Sequence, residues 1–194
     1  LAVGRSARFY TRFSVAWCQG FVDEFAWGAQ GELTKHVREE LQFWMKRLGE
    51  FSSQPIRRPS KILKYDCASD CGEYYAGGKI AKDGVELRDK RFQCSLEEWE
   101  TKESSTYREL RSMEMGLTLM GPEARRSVVR WANDNYAAVK VIEFGSTKPA
   151  CHEVAKRIND LCEFFDISLE VVWRRRSSED IVLCDKLSKT FDFG

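Results

Sequence analysis

The sequence predicts an α/β fold, a mixed sheet flanked by helices with a helical segment ahead of it. Three observations carry that reading. Residues 74–81 and 85–93 are strand-like stretches joined at Asp83-Gly84, a pair suited to a tight hairpin turn. Past residue 105 the apolar spacing alternates between helical and strand periods. A hairpin followed by strands that helices separate puts antiparallel and parallel pairs into one sheet.

The elements follow in order. Residues 5–30 read as mostly helical, with Phe9, Phe13, Ala16 and Trp17 on one face and Gly28 and Gly31 breaking the pattern. Thr34 opens a second helix whose Val37, Leu41, Trp44, Met45 and Leu48 recur at helical spacing, with Gly49 as its stop. That stripe needs cover, so the segment is expected to pack on the body rather than stand as a separate domain. Residues 51–60 hold Pro55, Pro59 and the pair Arg57-Arg58, a linker composition. The division is therefore a helical connection and linker over residues 1–60 and a body over residues 61–194.

In the body, residues 62–67 read as the first strand, and the hairpin strands follow. Residues 106–120 form a helix with Leu110, Met113, Leu117 and Met120 inward, stopped by Gly121-Pro122. Residues 127–132 are a strand that delivers Asp134 just past its end. A short helix over 136–144 stops at Gly145. An amphipathic helix over 150–165 runs through Val154, Ile158, Leu161, Cys162 and Phe165. Leu169, Val171 and Trp173 alternate as a strand, and Arg174-Arg175-Arg176 leads into a last helix carrying Asp185.

Composition bounds the rest. With 194 residues, 43% hydrophobic and 31% charged, the chain suits one well-filled domain with an appendage. No run approaches the roughly 18 apolar residues of a membrane span. The opening at Leu1 is expected of a piece of a longer polypeptide, and Arg5, Arg8 and Arg12 interrupt any signal-like stretch. Seven cysteines at scattered spacings, with no C-x-x-C pair and two histidines, fit free thiols in an intracellular protein, cytoplasmic or nuclear. Residues 1–64 carry 11 basic and 6 acidic side chains, against 20 and 24 over the remaining 130. A basic arm beside an acidic body suits a protein that holds a polyanion, and ordinary surface variation gives the same counts.

Four carboxylates stand in separate strings: Asp66 in Y-D-C-A-S-D, Glu109 in S-S-T-Y-R-E-L, Asp134 in N-D-N and Asp185 in C-D-K-L-S. Brought together they would repel one another unless divalent cations neutralised them. Each also has a plainer role: an Asx-turn at Asp66, a capping box Thr106-x-x-Glu109, a helix cap at Asp134, a solvated charge at Asp185. In the first string Asp66 follows the strand alternation directly and is the expected ligand. Asp70, just before Gly72, reads as turn chemistry.

The segment Ser104-Ser105-Thr106-Tyr107-Arg108-Glu109-Leu110 resembles the S-S-T-[WY]-R-E-L segment of ribonuclease H domains in reverse transcriptases of DIRS-like and related retroelements. Other blocks fall in that family's order. Asp66-Cys67-Ala68-Ser69-Asp70 resembles its D-A-S-D block with Cys67 as an extra residue, and Trp99 matches its upstream tryptophan. Asn133-Asp134-Asn135, with Gly145-Ser146 further on, resembles T-D-N…G-S. Trp173-Arg174-Arg175-Arg176 resembles W-[IV]-P-R with Arg175 at the proline, and Cys184-Asp185-Lys186-Leu187-Ser188-Lys189 resembles A-D-x-L-S-K. Gly4-Arg5-Ser6-Ala7-Arg8 and Glu40-Leu41-Gln42-Phe43-Trp44 are similar to the connection between polymerase and ribonuclease H in these elements, and no Y-x-D-D polymerase string is present.

The resemblance implies a ribonuclease H-like fold with a five-stranded mixed sheet. It implies hydrolysis of the RNA strand of RNA–DNA hybrids by two Mg²⁺ ions, with Mn²⁺ able to substitute, held by Asp66, Glu109, Asp134 and Asp185. It also implies the polymerase portion of the same polypeptide as partner. Arg174, Arg175 and Arg176, and Arg57 and Arg58 in the linker, are candidates for phosphate contacts or equally for solvated basic surface. The alternative is a captured, non-catalytic ribonuclease H-like module that binds nucleic acid or protein.

Overall fold

A computed structural model describes residues 9–25, 28, 30–48 and 63–189. Arg57 and Arg58, with the rest of the linker, lie outside the described residues. The elements are α1 (Arg12–Phe25), α2 (Lys35–Arg47), β1 (Leu63–Cys71), β2 (Tyr75–Lys82), β3 (Val85–Glu86), β4 (Phe92–Ser95), α3 (Ser105–Met120), β5 (Ser127–Asn133), α4 (Tyr136–Phe144), α5 (Pro149–Phe165), β6 (Ser168–Trp173) and α6 (Glu179–Leu187).

The sheet is mixed, as expected. Its order is β3-β2-β1-β5-β6, with β4 also paired to β2; β1 is antiparallel to β2 and parallel to β5, and β6 is parallel to β5. The expected third strand over 85–93 is split by a 3-10 turn at Arg88–Lys90, which makes six strands of the anticipated five. Asp83 and Gly84 both have positive φ, at 51° and 81°, the conformation a two-residue type I′ hairpin demands.

The two faces of the sheet are built differently. Tyr65, Cys67 and Ser69 of β1 point toward α3, where Cys67 Sγ meets Met120 Sδ at 3.8 Å and Ser69 Oγ meets Ser112 Oγ at 2.8 Å. Trp131, fully buried on the same face, donates from Nε1 to Ser69 Oγ at 3.0 Å. Helices α3 and α5 close this core and are cross-linked by Arg157, whose Nε and Nη2 donate to Glu114 at 2.6 and 3.0 Å. The opposite face holds a smaller core in which Ala68 and Ala132 let Ile181 and Cys184 of α6 come close. Helix α6 covers only the end of that face toward which β1 and β5 run. Nearer the strand starts, Asp66, Arg130 and Glu170 form an exposed polar row.

The segment ahead of the body packs on α5. The Tyr10 ring stacks on Phe43 at 3.5 Å, its hydroxyl donates to Asp160 at 2.8 Å, and Trp44 Nε1 donates to the Tyr10 carbonyl at 2.6 Å. The buried side of α2 is therefore Val37, Glu40, Phe43 and Trp44. Leu41, Met45 and Leu48, expected under cover, are exposed. What turns the helix is Glu40, whose carboxylate accepts from the Phe13 and Ser14 amides at 2.8 and 2.7 Å and the Ser14 hydroxyl at 2.6 Å. Those amides belong to the first turn of α1 and have no partner within that helix, so a neighbouring helix caps them. Glu40→Ala is expected to cost about 2 kcal/mol and to speed proteolysis within residues 9–48, with Glu40→Gln intermediate. Melts and digestion rates equal to those of the parent would show that this cap does not hold the segment.

Candidate active site

Strand β1 brings the first carboxylate to the site, and it is Asp70. The strand does not stop at residue 67. Pairing continues without a bulge through Ala68, Ser69, Asp70 and Cys71 against Lys79, Gly78, Gly77 and Ala76, and on the other side Ala68 still faces Ala132. Asp66 and Asp70 share one face of the strand, but four residues separate them by about 13 Å. Asp66 is 54% exposed in the uncovered part of that face, 3.9 Å from Arg130. Asp70, 2% exposed, lies where α6 closes over the sheet and accepts from Ser188 Oγ at 2.8 Å. The assignment of Asp66 to the site is thus corrected to Asp70, which was expected in a turn.

Glu109 enters from the first turns of α3. It is not part of a capping box: the N-cap is Ser104, whose Oγ accepts from the Tyr107 amide at 3.2 Å. Glu109 is buried and accepts from Asn133 Nδ2 at 2.9 Å and the Cys71 amide at 3.3 Å. Asn133, fully buried at the end of β5, fixes the third position as well, because its Oδ1 accepts from the Asn135 amide at 2.8 Å while Asn135 caps α4. Between the two asparagines stands Asp134. Carboxylate oxygens of Asp70, Glu109 and Asp134 all lie within 4.8 Å of one another.

Asp185, on the last turns of α6, borders this group. Its Oδ2 accepts from Lys189 at 2.7 Å, and its Oδ1 is buried with no hydrogen-bond partner. Arg176 reaches both flanks, 3.5 Å from Asp134 Oδ2 and 3.7 Å from Asp185 Oδ1. Arg174 and Arg175 stand exposed beside it. The end of α6 is seated on glycine, since a Cβ at Gly77 would lie 2.6 Å from the Leu187 carbonyl carbon and from the Ser188 nitrogen. Gly77→Ala is expected to push this end off β2 and cost about 1–3 kcal/mol, read as a lower melting temperature. An unshifted melt would show that the contact has room to give.

Burial and mutual repulsion set the electrostatics. Desolvation, the Asp70 charge and the Asp134 charge push Glu109 up to about 8, against the hydrogen bonds from Asn133 and Cys71. Asp70 is raised for the same reasons, first by desolvation and then by Asp134 and Asp185, with the Ser188 hydroxyl and Arg176 opposing. Three converging carboxylates, two of them resisting ionisation, are hard oxygen donors that a divalent cation would relieve. The Asp185 Oδ1 beside them, which no hydrogen bond satisfies, fits the same role. Two supports went unread in the sequence, Asn133 as the clamp on Glu109 and Ser188 as the clamp on Asp70. The strings N-D-N and L-S-K contain both, but neither shows which carboxylate its side chain meets.

No protein-family model matches the chain, and no curated protein matches it. Among the described residues no helix is long and apolar enough to cross a membrane. Solved structures do match. RNase H1 from the halophilic archaeon Halobacterium salinarum is similar at a TM-score of 0.51 and 12% identity, over 66% of this chain and 94% of that one. The N-terminal RNase H domain of a Mycobacterium tuberculosis protein, solved as a fusion with maltose-binding protein, is similar at 0.50 and 12%, over 66% and 97%. Prototype foamy virus protease–reverse transcriptase is similar over 92% of this chain and 24% of that one, at 12% identity and a TM-score of 0.38, too low to carry a structural argument. The mixed sheet, its flanking helices and the first two of these likenesses together show that this chain has the ribonuclease H-like fold.

Proposed function

We propose that this chain is a metal-dependent nuclease that hydrolyses the RNA strand of RNA–DNA hybrids, working with a polymerase portion of the same retroelement polypeptide. The observation that carries the reading is the convergence of Asp70 from β1, Glu109 from α3 and Asp134 from the turn after β5 within 4.8 Å on a ribonuclease H-like fold. Asp185 completes the set from α6. These four would hold Mg²⁺, or Mn²⁺ in its place, and the metal would supply an activated water and a stabilised leaving oxygen. The chain's own contribution is placement. Asn133 and Cys71 aim Glu109, Ser188 aims Asp70, and the start of α4 fixes Asp134. Arg174 and Arg175, exposed beside the carboxylates, would meet the phosphates of a substrate backbone passing them, and Arg176 stands against Asp134 and Asp185.

The retroelement assignment is supported by the S-S-T-Y-R-E-L and C-D-K-L-S-K strings, which sit here on α3 and at the end of α6. Incubating the protein with labelled RNA–DNA hybrid, duplex RNA and duplex DNA, with Mg²⁺ or EDTA, tests the reading. Cleavage of the RNA strand of the hybrid in Mg²⁺ alone is expected. No cleavage of any substrate would overturn the nuclease reading, and cleavage of duplex DNA in preference to the hybrid would overturn its substrate.

A further inference from the structure

Beside the Asp134 backbone, Trp173, Arg174, Arg175, Ser177 and Ser178 line a shallow cleft of about 370 Å³, widely open to solvent. Its walls are tied down. The Arg174 amide donates to the Asn133 carbonyl at 2.9 Å, and the Ser178 amide and hydroxyl both donate to the Arg175 carbonyl, at 2.9 and 2.7 Å. The Trp173 indole donates from Nε1 to the Asp134 carbonyl at 2.9 Å, yet the residue remains 48% exposed. With its N–H spent on the backbone of a site residue, the indole has only its aromatic surface left to offer. The three arginines differ in the company they keep. Arg176 stands against Asp134 and Asp185, while Arg174 and Arg175 have no carboxylate partner among the described residues. Two uncompensated guanidiniums next to an acidic cluster are placed where a polyanion meets its strongest repulsion.

We infer that this cleft takes one nucleotide of the substrate strand next to the carboxylates, its base or sugar face on Trp173 and its phosphates on Arg174 and Arg175, and that Arg176 serves the carboxylates instead. An aromatic face with adjacent guanidiniums and hydroxyls fits a nucleotide, because stacking needs no particular base and arginine grips phosphate through paired N–H groups. An acidic peptide would use the arginines and leave the indole idle. The inference rests on the nuclease reading, and the two can fail separately.

Fluorescence anisotropy with a labelled RNA–DNA hybrid in EDTA, where cleavage is blocked, decides it. Trp173→Ala is expected to weaken binding about 10-fold, and Trp173→Phe, which keeps an aromatic face, by no more than about 3-fold. Arg174→Ala/Arg175→Ala is expected to lower the slope of log affinity against log salt by about 1–2, which neither Trp173 substitution changes. Equal loss for Phe and Ala would mean that the indole serves only to hold Asp134, and would overturn the stacking. Parent-like binding by Trp173→Ala and the double variant, in a protein that cuts the hybrid in Mg²⁺, would overturn the cleft alone. Poly-glutamate bound as tightly as the hybrid would reassign the cleft to acidic peptide. A parent protein that neither binds nor cuts the hybrid would overturn both readings.

Discussion

Asp70→Asn is expected to lower metal-dependent cleavage by more than about 100-fold, while Asp66→Asn leaves the rate within about 2-fold. The lower bound follows from metal sites generally, where losing even a residue that only orients a ligand costs about 10–100-fold. Asp70 is placed closer than that, with its carboxylate in the converging group itself. Asp66 faces Arg130 on open sheet, in a pair exposed on both sides and at the edge of ion-pair distance, where little energy is at stake. Asp70→Asn also keeps a side chain that can meet the Ser188 hydroxyl, so its fold should hold, and an unchanged melt would separate chemistry from stability. Loss of activity in the Asp66 variant alone would mean that β1 pairs in a different register when the protein works.

This pair of substitutions marks where the sequence was legible and where it was not. Element types were written in local chemistry: Asp83-Gly84 demanded its turn, and the helices over 106–120 and 150–165 were plain in their apolar period. Three of the four expected acids also stand at or beside the site. The first was misplaced because β1 is buried beyond residue 67 by small and polar residues, Ala68, Ser69 and Asp70, which a hydrophobic pattern does not extend through. Strand parity could not choose between Asp66 and Asp70, since both have the same one. On α2 the apolar stripe was right for Val37 and Trp44 but not for Leu41, Met45 and Leu48, because a charged residue, Glu40, is buried there to cap another helix. Such a cap depends on a contact 26 residues away and leaves no mark on periodicity.

Glu109→Gln is expected to abolish cleavage and, in EDTA, to stabilise the protein at pH 8 but not at pH 4.5. The sign follows from the direction of the shift. Burial and the neighbouring carboxylates raise the folded-state pKa of Glu109 from 4.5 to about 8, so the folded chain holds a proton there that the unfolded chain has released. Stability attached to this group is therefore whole below pH 4.5 and is lost as pH rises through about 8. The amount is roughly 3–5 kcal/mol across that window, or about 10 °C in melting temperature for a domain of this size. His152, pushed down by its burial on α5 beneath Phe9 and Phe13, acts the other way as pH falls below 6.5. Only the difference between parent and variant isolates Glu109. Glutamine preserves an acceptor for Asn133 or Cys71 and turns an NH₂ toward Asp70 and Asp134, which removes the repulsion without emptying the space. Adding Mg²⁺ at pH 8 should reverse the order, raising the melting temperature of the parent more than that of the variant, because a cation favours the ionised carboxylate that the buried site alone resists. Coincident stability curves for the two proteins in EDTA would mean that Glu109 is ionised at no cost, and the group would then lack the strain that a metal is proposed to relieve.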